Sequence, residues 1–563
     1  MNLLYEPWLP TVGISGEKSP VGLVGAIERA HELRWLDAEA PPVTAALHRL
    51  LLAFAHRVHG PENERAWARL WDAREFPSKP LEEYIERYGD RFELFGDRPF
   101  FQTPGVPDSK VGSAAQLTMY RASGNNATLF DHTTHDDRIE LTPAQAAQWL
   151  VTVQAFDTGG MKTPYDKDKS SKAGLCNRFA TLLLEGATLK ETLLLNMPVY
   201  SPEWSRPPAT GIGDHPIWER DDPPGPRPVK DEGPPPRGRT ELLTWPSRRI
   251  RLRAADREDG PRVVGAAILP GTRLRAELHD VEQMAAFYRE KQYRKGARGA
   301  APKPVLGDTR PVVLEDLRGV WRHAREILLP AGEMGERIRP RTLDHIAEEV
   351  RREHLPTDKV VTARVFGQRL DPQAGAVHAW LEESLPVPVA LLRAAERAPE
   401  LEPLLGHAVS LADDIGDLLN RLERDYAAAL GDKPSPRGPN RCLLTQWYWP
   451  ELPAPFGVLL RDVGEVLVDR SSGGRDGHAS LLCDLFDAWG RRVRSTAGNA
   501  RTRWASGAPR ERPRDLLALA ACDEEFGALS RKRYRDYELA VSNHRPNDDG
   551  DSDTRPEDDG DGE

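Results

Sequence analysis

The last third of the chain carries apolar residues at every third or fourth position and no alternating pattern. The stretches are "AVHAWLEESLPVPVALLRAA", "LLGHAVSLADDIGDLLNRLERDYAAALG", "HASLLCDLFDAWGRRVRSTA" and "RPRDLLALAACDEEFGALSRKRYRDYELAVS". That spacing leaves amphipathic helices as the option, and such helices must bury their apolar faces on one another. A four-helix bundle is predicted over 376–542, following a change of composition after about Gln373.

The part before it, residues 1–375, mixes helix and strand signals. "SPVGLVGAIERAHELRWL" and "KPLEEYIERYGDRFELFG" have helical spacing. "PPVTAALHRLLLAFAHRVHG" predicts a helix starting at Pro42 and stopped by Gly60, and "TPAQAAQWLVTVQAFD" one starting near Thr142. A further helix is predicted in "SKAGLCNRFATLLLEGATLKETLLLNM", after Lys172. "TWPSRRIRLRA", the turn "DREDG" and "RVVGAAILPGTRLRA" predict a hairpin, and "DKVVTARVFGQRL" a strand. Residues 205–240 are dense in Pro and Gly and read as loop. Without a regular βαβα alternation the class is α+β: a large mixed N-terminal domain followed by the helical bundle.

A chain of 563 residues exceeds one hydrophobic core. It has no uncharged apolar run of membrane-spanning length, so no membrane is expected. The start, "MNLLYEPWLPTVG", lacks a signal peptide's basic and apolar regions. Cys176, Cys442, Cys483 and Cys522 are far apart, which fits reduced thiols in a cytoplasmic protein. The tail over 543–563 is predicted to be disordered; from Asn547 it holds nine acids and one arginine. It supplies −8 of the formal charge of −10, so the body is near −2 and its local patches decide what it binds.

Several stretches could carry chemistry. "TLFDHTTHDD" offers Asp131, His132, His135, Asp136 and Asp137, the ligand types of a divalent-metal nuclease or phosphohydrolase. It lies between turn signals, and no second His/Asp cluster completes a ligand set, so a polar contact loop is the competing reading. "QAFDTGGMKTPYDKDKSSK" joins a Gly-Gly turn to Lys162, Lys167, Lys169 and Lys172, without the phosphate-loop spacing G-x-x-x-x-G-K-[ST]. "YREKQYRKGARGAAPKPVLGDTR" interleaves Tyr288 and Tyr293 with Arg289, Lys291, Arg294, Lys295 and Arg298, as a nucleic-acid contact loop would. "GRRVRSTAGNARTRWASGAPR" has no acid between Asp487 and Glu511 and adds Arg491, Arg492, Arg494, Arg501 and Arg503. These arginines, with Lys162 and the basic residues of the 288–310 run, are candidate phosphate contacts. Glu382-Glu383 and Asp413-Asp414 fall on predicted helices as solvated faces, and the aromatics of "QWYWP" read as core or interface anchors. No hydrolase, zincin or kinase nucleophile motif is present.

"NLLYEPWLP", "FELFGDRPFFQ", "LFDHTTHDD", "QAFDTGGMK", "LLTWPSRRIRL" and "VFGQRLDPQAGAVHAW" occur in that order before the bundle. Together they resemble the CasA family, the large subunit of the type I-E CRISPR surveillance complex Cascade. The likeness covers nearly the whole chain except the tail. It implies a non-catalytic subunit, present in one copy in a hetero-complex with the other Cascade subunits and the CRISPR guide RNA. Such a subunit reads the protospacer-adjacent motif (PAM) of double-stranded DNA from the minor groove and starts strand opening. It also offers a landing site to a separate nuclease-helicase.

By that resemblance the glycine loop is Gly159-Gly160-Met161, and the lysine finger is Lys291, with Lys295 as its rival. The strand-separating glutamine wedge is Gln373, with Gln368 as its rival, and the guide-handle loop is "TLFDHTT", with Phe130 and His132 as contacts. Some relatives carry a cysteine cluster suited to zinc; this chain has none there, so no metal and no cofactor is expected. The roles make physical sense. The minor groove presents mostly acceptors plus one guanine amino donor, which suits a lysine and a close backbone. Opening one base step costs on the order of a few kcal/mol, after which guide pairing replaces DNA pairing at near balance.

Overall fold

The computed structural model describes residues 1–119, 139–165, 168–199, 213–222, 224–226, 233, 235–294, 303–315, 318–332, 334–370, 376–393, 398–431, 442–469, 474–508 and 512–546. The loop 128–137, Lys167, Lys295, Arg298, Gln373, most of 205–240 and the tail from Asn547 lie outside them. The chain divides into two units, Met1–Arg393 and Ala394–Glu563.

In the first unit, helix α1 (Pro41–His59) runs through the core with nearly every side chain buried. Even Arg49 is interior, held by two hydrogen bonds of 3.1 and 3.0 Å to Glu282. Helix α2 (Pro143–Phe156) packs on α1. It begins with a capping box in which the Thr142 hydroxyl accepts from the Gln145 amide while the Gln145 side chain accepts from the Thr142 amide. Its C-cap is Asp157, and one residue, Thr158, separates that cap from Gly159-Gly160. A two-stranded hairpin follows, β1 (Gly160–Tyr165) against β2 (Asp168–Ser171), lying on a later strand.

The helix expected after Lys172 is three elements. A 3-10 turn (Leu175–Arg178) leads to strand β3 (Thr181–Glu185) and helix α3 (Leu189–Leu195). "TLLL" is buried throughout, so its apolar run has no face to betray its period. Thr188 caps the new helix by accepting from the Glu191 amide at 3.2 Å.

The expected hairpin is β4 (Arg248–Arg257) and β5 (Gly260–Pro270), joined at Gly260, whose φ of +108° suits glycine. The basic run read as a loop is instead a second hairpin, β6 (Phe287–Arg294) and β7 (Lys303–Pro311). The third is β8 (Val360–Leu370) and β9 (Val377–Pro388), with β3 on the other edge of β8.

Strand β9 replaces the first predicted bundle helix, so the chain divides after Arg393 and not at 375. The adjacent acids Glu382 and Glu383 are therefore on a strand: Arg364 donates to Glu382 at 3.0 Å, and Glu383 accepts from the Val320 amide. Asp413-Asp414 are on a helix as expected.

Among the described residues the second unit contains four long helices: α4 (Leu401–Leu430), α5 (Pro453–Val468), α6 (Gly474–Gly507) and α7 (Pro513–Ser542). Helix α5 takes the place of the segment that became β9. Gly431 ends α4 with φ +91°. The "QWYWP" aromatics are anchors here: Tyr448 is buried and donates to the Ala412 carbonyl at 2.9 Å, and Trp449 is buried beside it. All four cysteines are free. Among the described residues, no helix is long and apolar enough to cross a membrane.

Candidate nucleic-acid interface

The glycine turn is built from the C-terminus of α2. Its foundation is Asp157, a buried carboxylate paired with Arg248 and with Lys162, the latter at 2.8 Å. Burial pushes the Asp157 carboxyl up, and the charges of Lys162 and Arg248 overcome that and hold it below its ordinary value. Arg248 also donates to the carbonyls of Ser247, Thr158 and Lys172, at 2.8, 3.0 and 2.8 Å. The last carbonyls of α2 are satisfied too. Asn177 donates to Phe156 and Asp157, at 2.7 and 3.0 Å, and the Gly174 amide donates to Asp157 at 2.7 Å.

On this base Gly159 is buried while Gly160 and Met161 are exposed. Gly160 has φ +100°, and a Cβ built there meets no atom within 4 Å. Glycine is thus required by the backbone and not by crowding within the chain. The bare backbone stands open to whatever docks against it. Met161, 62% exposed, stands beside it.

Lys162 corrects the sequence reading. The basic pattern places it among the phosphate contacts, but its side chain is 9% exposed and neutralised by Asp157, so it is a bracing residue. Gln368, the rival wedge, is also committed: it donates to the Phe156 carbonyl at 3.2 Å and accepts from the Trp380 indole at 3.0 Å. Gln373 lies outside the described residues, on the connection between β8 and β9.

Lys291 pairs with Leu306 in the β6–β7 hairpin, and Arg294 with Lys303 at its far end; Lys295 and Arg298 belong to the connection outside the described residues. Arg289, nearer the body, donates to the Thr309 hydroxyl at 2.8 Å. Sequence reasoning makes the 288–310 run a contact loop, and the feature it misses is this paired arm.

In the second unit α6 carries the other basic run. Arg491 and Arg492 are exposed and have no ion pair among the described residues. Arg494 and Arg501 are paired with Glu538 (2.8 Å) and Asp523 (3.4 Å), and Arg503 lies over the Trp447 ring at 4.5 Å. Exposed pairs of this kind are worth about 0–1 kcal/mol, so a phosphate can displace them.

Phe130, His132 and the rest of the 131–137 cluster are outside the described residues. Among the described residues no group of three or more His, Cys, Asp and Glu is placed to hold a metal.

A braced glycine turn, a basic hairpin arm and a helical unit with a basic face make up a two-unit α+β and helix-bundle protein. The family model of CRISPR-associated protein Cse1 matches residues 2–500. A Thermus thermophilus protein named CRISPR-associated protein CasA/Cse1 is 33% identical over 553 residues, covering 94% of this chain and 97% of the relative. The crystal structure of Thermobifida fusca Cse1 matches at 26% identity with a TM-score of 0.72, over 96% of this chain and 98% of the other. A chain of a solved CRISPR RNA-guided surveillance complex matches at 20% identity and TM-score 0.67, over 94% and 99%, which speaks to the fold. The chain belongs to the CRISPR-associated Cse1 (CasA/Cse1) family.

Proposed function

We propose that the chain is a non-catalytic subunit of a cytoplasmic, RNA-guided surveillance complex. It recognises the PAM of double-stranded DNA in the minor groove, starts strand separation and recruits a separate nuclease-helicase. The observation that carries the reading is the Gly160 turn. A left-handed, side-chain-free backbone stands open on a buried ionic brace, which suits close approach to a groove floor. Lys291, on a hairpin arm, supplies donors to the groove's acceptors, and Gln373, between β8 and β9, wedges into the first base step. Phe130 and His132 dock against the guide handle and a neighbouring subunit. The basic residues of the 289–298 run and of α6 meet phosphates of the duplex and of the separated strands.

The test is guide-directed binding by the reconstituted complex with and without this chain. The DNA targets differ only at the flanking motif, and no nuclease is added. Motif-dependent binding that requires the chain, with the DNA left intact, is the expected result. Motif-blind binding overturns the reading. Metal-dependent cleavage by this chain alone assigns the 131–137 cluster to nuclease chemistry instead.

A further inference from the structure

The strand facing the glycine turn carries a different kind of cation from the one beside it. Gly160 and Met161 pair with Ser171 and Ser170. Lys169 and Lys172 flank those serines, and Arg178 follows on the next turn. All three are exposed, and none has an ion pair or side-chain hydrogen bond among the described residues. This contrasts with Lys162 and Arg248, which Asp157 neutralises.

Their backbone is held by the anchors that hold the glycine turn. Arg248 donates to the Lys172 carbonyl at 2.8 Å. A Cβ on Gly174 would come within 2.6 Å of the Ala155 carbonyl, so the 172–178 segment lies flush on the end of α2. Asn177, next to Arg178, caps that same helix end. A groove beside the turn is lined by Asp168, Ser170, Ser171, Lys172, Arg178 and Thr272, and Lys169 lies next to it on the strand.

We propose that Lys169, Lys172 and Arg178, with the hydroxyls of Ser170 and Ser171, form a track for the sugar-phosphate backbone of duplex DNA alongside the motif. The inference rests on the glycine turn entering the minor groove. That groove is only about 6 Å wide, so an element on its floor has a phosphate wall about one strand spacing away. Lys169 to Lys172 spans about 10 Å along an extended chain. That is about three base-pair rises of ~3.4 Å along the duplex axis. Three unneutralised cations and two hydroxyls are the contacts that set register and add affinity without reading sequence.

The experiment is a salt series on guide-directed duplex binding by the reconstituted complex carrying Lys169→Ala, Lys172→Ala and Arg178→Ala together. Each lost phosphate contact reduces the log K against log salt slope by about 0.9. The triple variant is expected to be flatter by about 2–3. Between 50 and 200 mM salt it then escapes a fall of roughly 40-fold that the parent suffers. The ratio of affinities for correct and altered motifs stays unchanged. A Lys172→Glu complex is expected to bind both DNAs more weakly than Lys172→Ala does, because it adds repulsion to the lost contact. An unchanged slope overturns the track, and so does a changed motif ratio, which would make these residues base readers. Failure to assemble on guide RNA also overturns it, because the surface would then belong to RNA. Gly160→Val is measured in parallel. If that variant keeps full motif discrimination, the motif-reading proposal fails, while the slope of the triple variant still judges the phosphate track.

Discussion

Replacing Asp157 by Asn should loosen the whole motif-reading surface without touching an exposed residue. The carboxylate neutralises two cations whose side chains are 2% and 9% exposed, Arg248 and Lys162. Removing one partner of a buried pair costs about 3–5 kcal/mol, because the remaining charge is stranded. Two features put the value near the lower bound. Arg248 keeps its carbonyl acceptors, and Lys162 sits close enough to the surface to swing into water. About 3 kcal/mol is an increase of roughly 100-fold in the local opening constant. Hydrogen exchange on the full chain should show that increase across residues 157–178, with α1 unaffected. Adding Lys162→Met removes one of the two stranded charges and should recover about 1–2 kcal/mol. Unchanged exchange in Asp157→Asn, or a double variant worse than the single, would refute the ionic brace.

Four further outcomes are expected. Gly160→Val forces a side chain into a φ of +100° and onto the docking face, and should lower motif discrimination more than nonspecific duplex binding; equal losses in competition binding argue against the turn as reader. Gln373→Ala should leave initial duplex binding partly intact and impair strand opening, followed by permanganate reactivity next to the motif; undiminished opening removes the wedge. Lys291→Ala should weaken motif-dependent affinity more than nonspecific affinity, and equal losses in titrations on the two DNAs reduce it to a phosphate contact. Burial holds the imidazoles of His48 and His345 down to about 3, so each takes up a proton on unfolding between that pH and its ordinary value near 6.5. Stability from each is complete above pH 6.5 and falls by about 1.4 kcal/mol per pH unit below it. Burial acts oppositely on Glu349, raising it to about 7, so that its protonated form favours the fold as pH drops below 7. Thermal unfolding of His345→Gln should show a shallower acid loss than the parent, and an identical slope would be the contrary result.

How much of this was legible depended on whether an element shows one face to water. Helix α2 has its capping box written in Thr142 and Gln145, and β4–β5 has its turn written in "DREDG". Those elements are where the sequence places them. Strand β3 is buried on both faces, and its "TLLL" has no period to read. Strand β9 carries Glu382 and Glu383 side by side, which on a helix would be a solvated face; the cross-strand Arg364 reveals the other geometry only after folding. Helix α5 holds Pro453, Pro455, Gly457 and Gly464, residues that signal loop. The prolines sit in the first turn, where missing amide donors cost little, and the glycines are buried against neighbours.

The candidate site shows a sharper limit of the same kind. "GGMKTPYDKDKSSK" displays Lys162, Lys169 and Lys172 as equals, each a positive charge within a short polar run. Their roles are separated by two residues outside that run. Asp157 has to reach the end of its helix, and Arg248 has to arrive from a strand at a sequence separation of 91. Once both are present, alternation along β1 turns Lys162 inward to the carboxylate, while the facing strand leaves Lys169 and Lys172 without a counter-charge. Charge count therefore could not rank these lysines, whereas burial does. A lysine that a buried carboxylate already neutralises has little to gain from a phosphate, and a solvated one gains by releasing the phosphate's counterions. The same logic extends to Gln368, whose amide is spent on Phe156 and Trp380. A side chain tied at both its amide nitrogen and its amide oxygen inside the protein has to break those bonds before it can displace a base, so the reading groups belong among residues whose hydrogen bonds the fold leaves open.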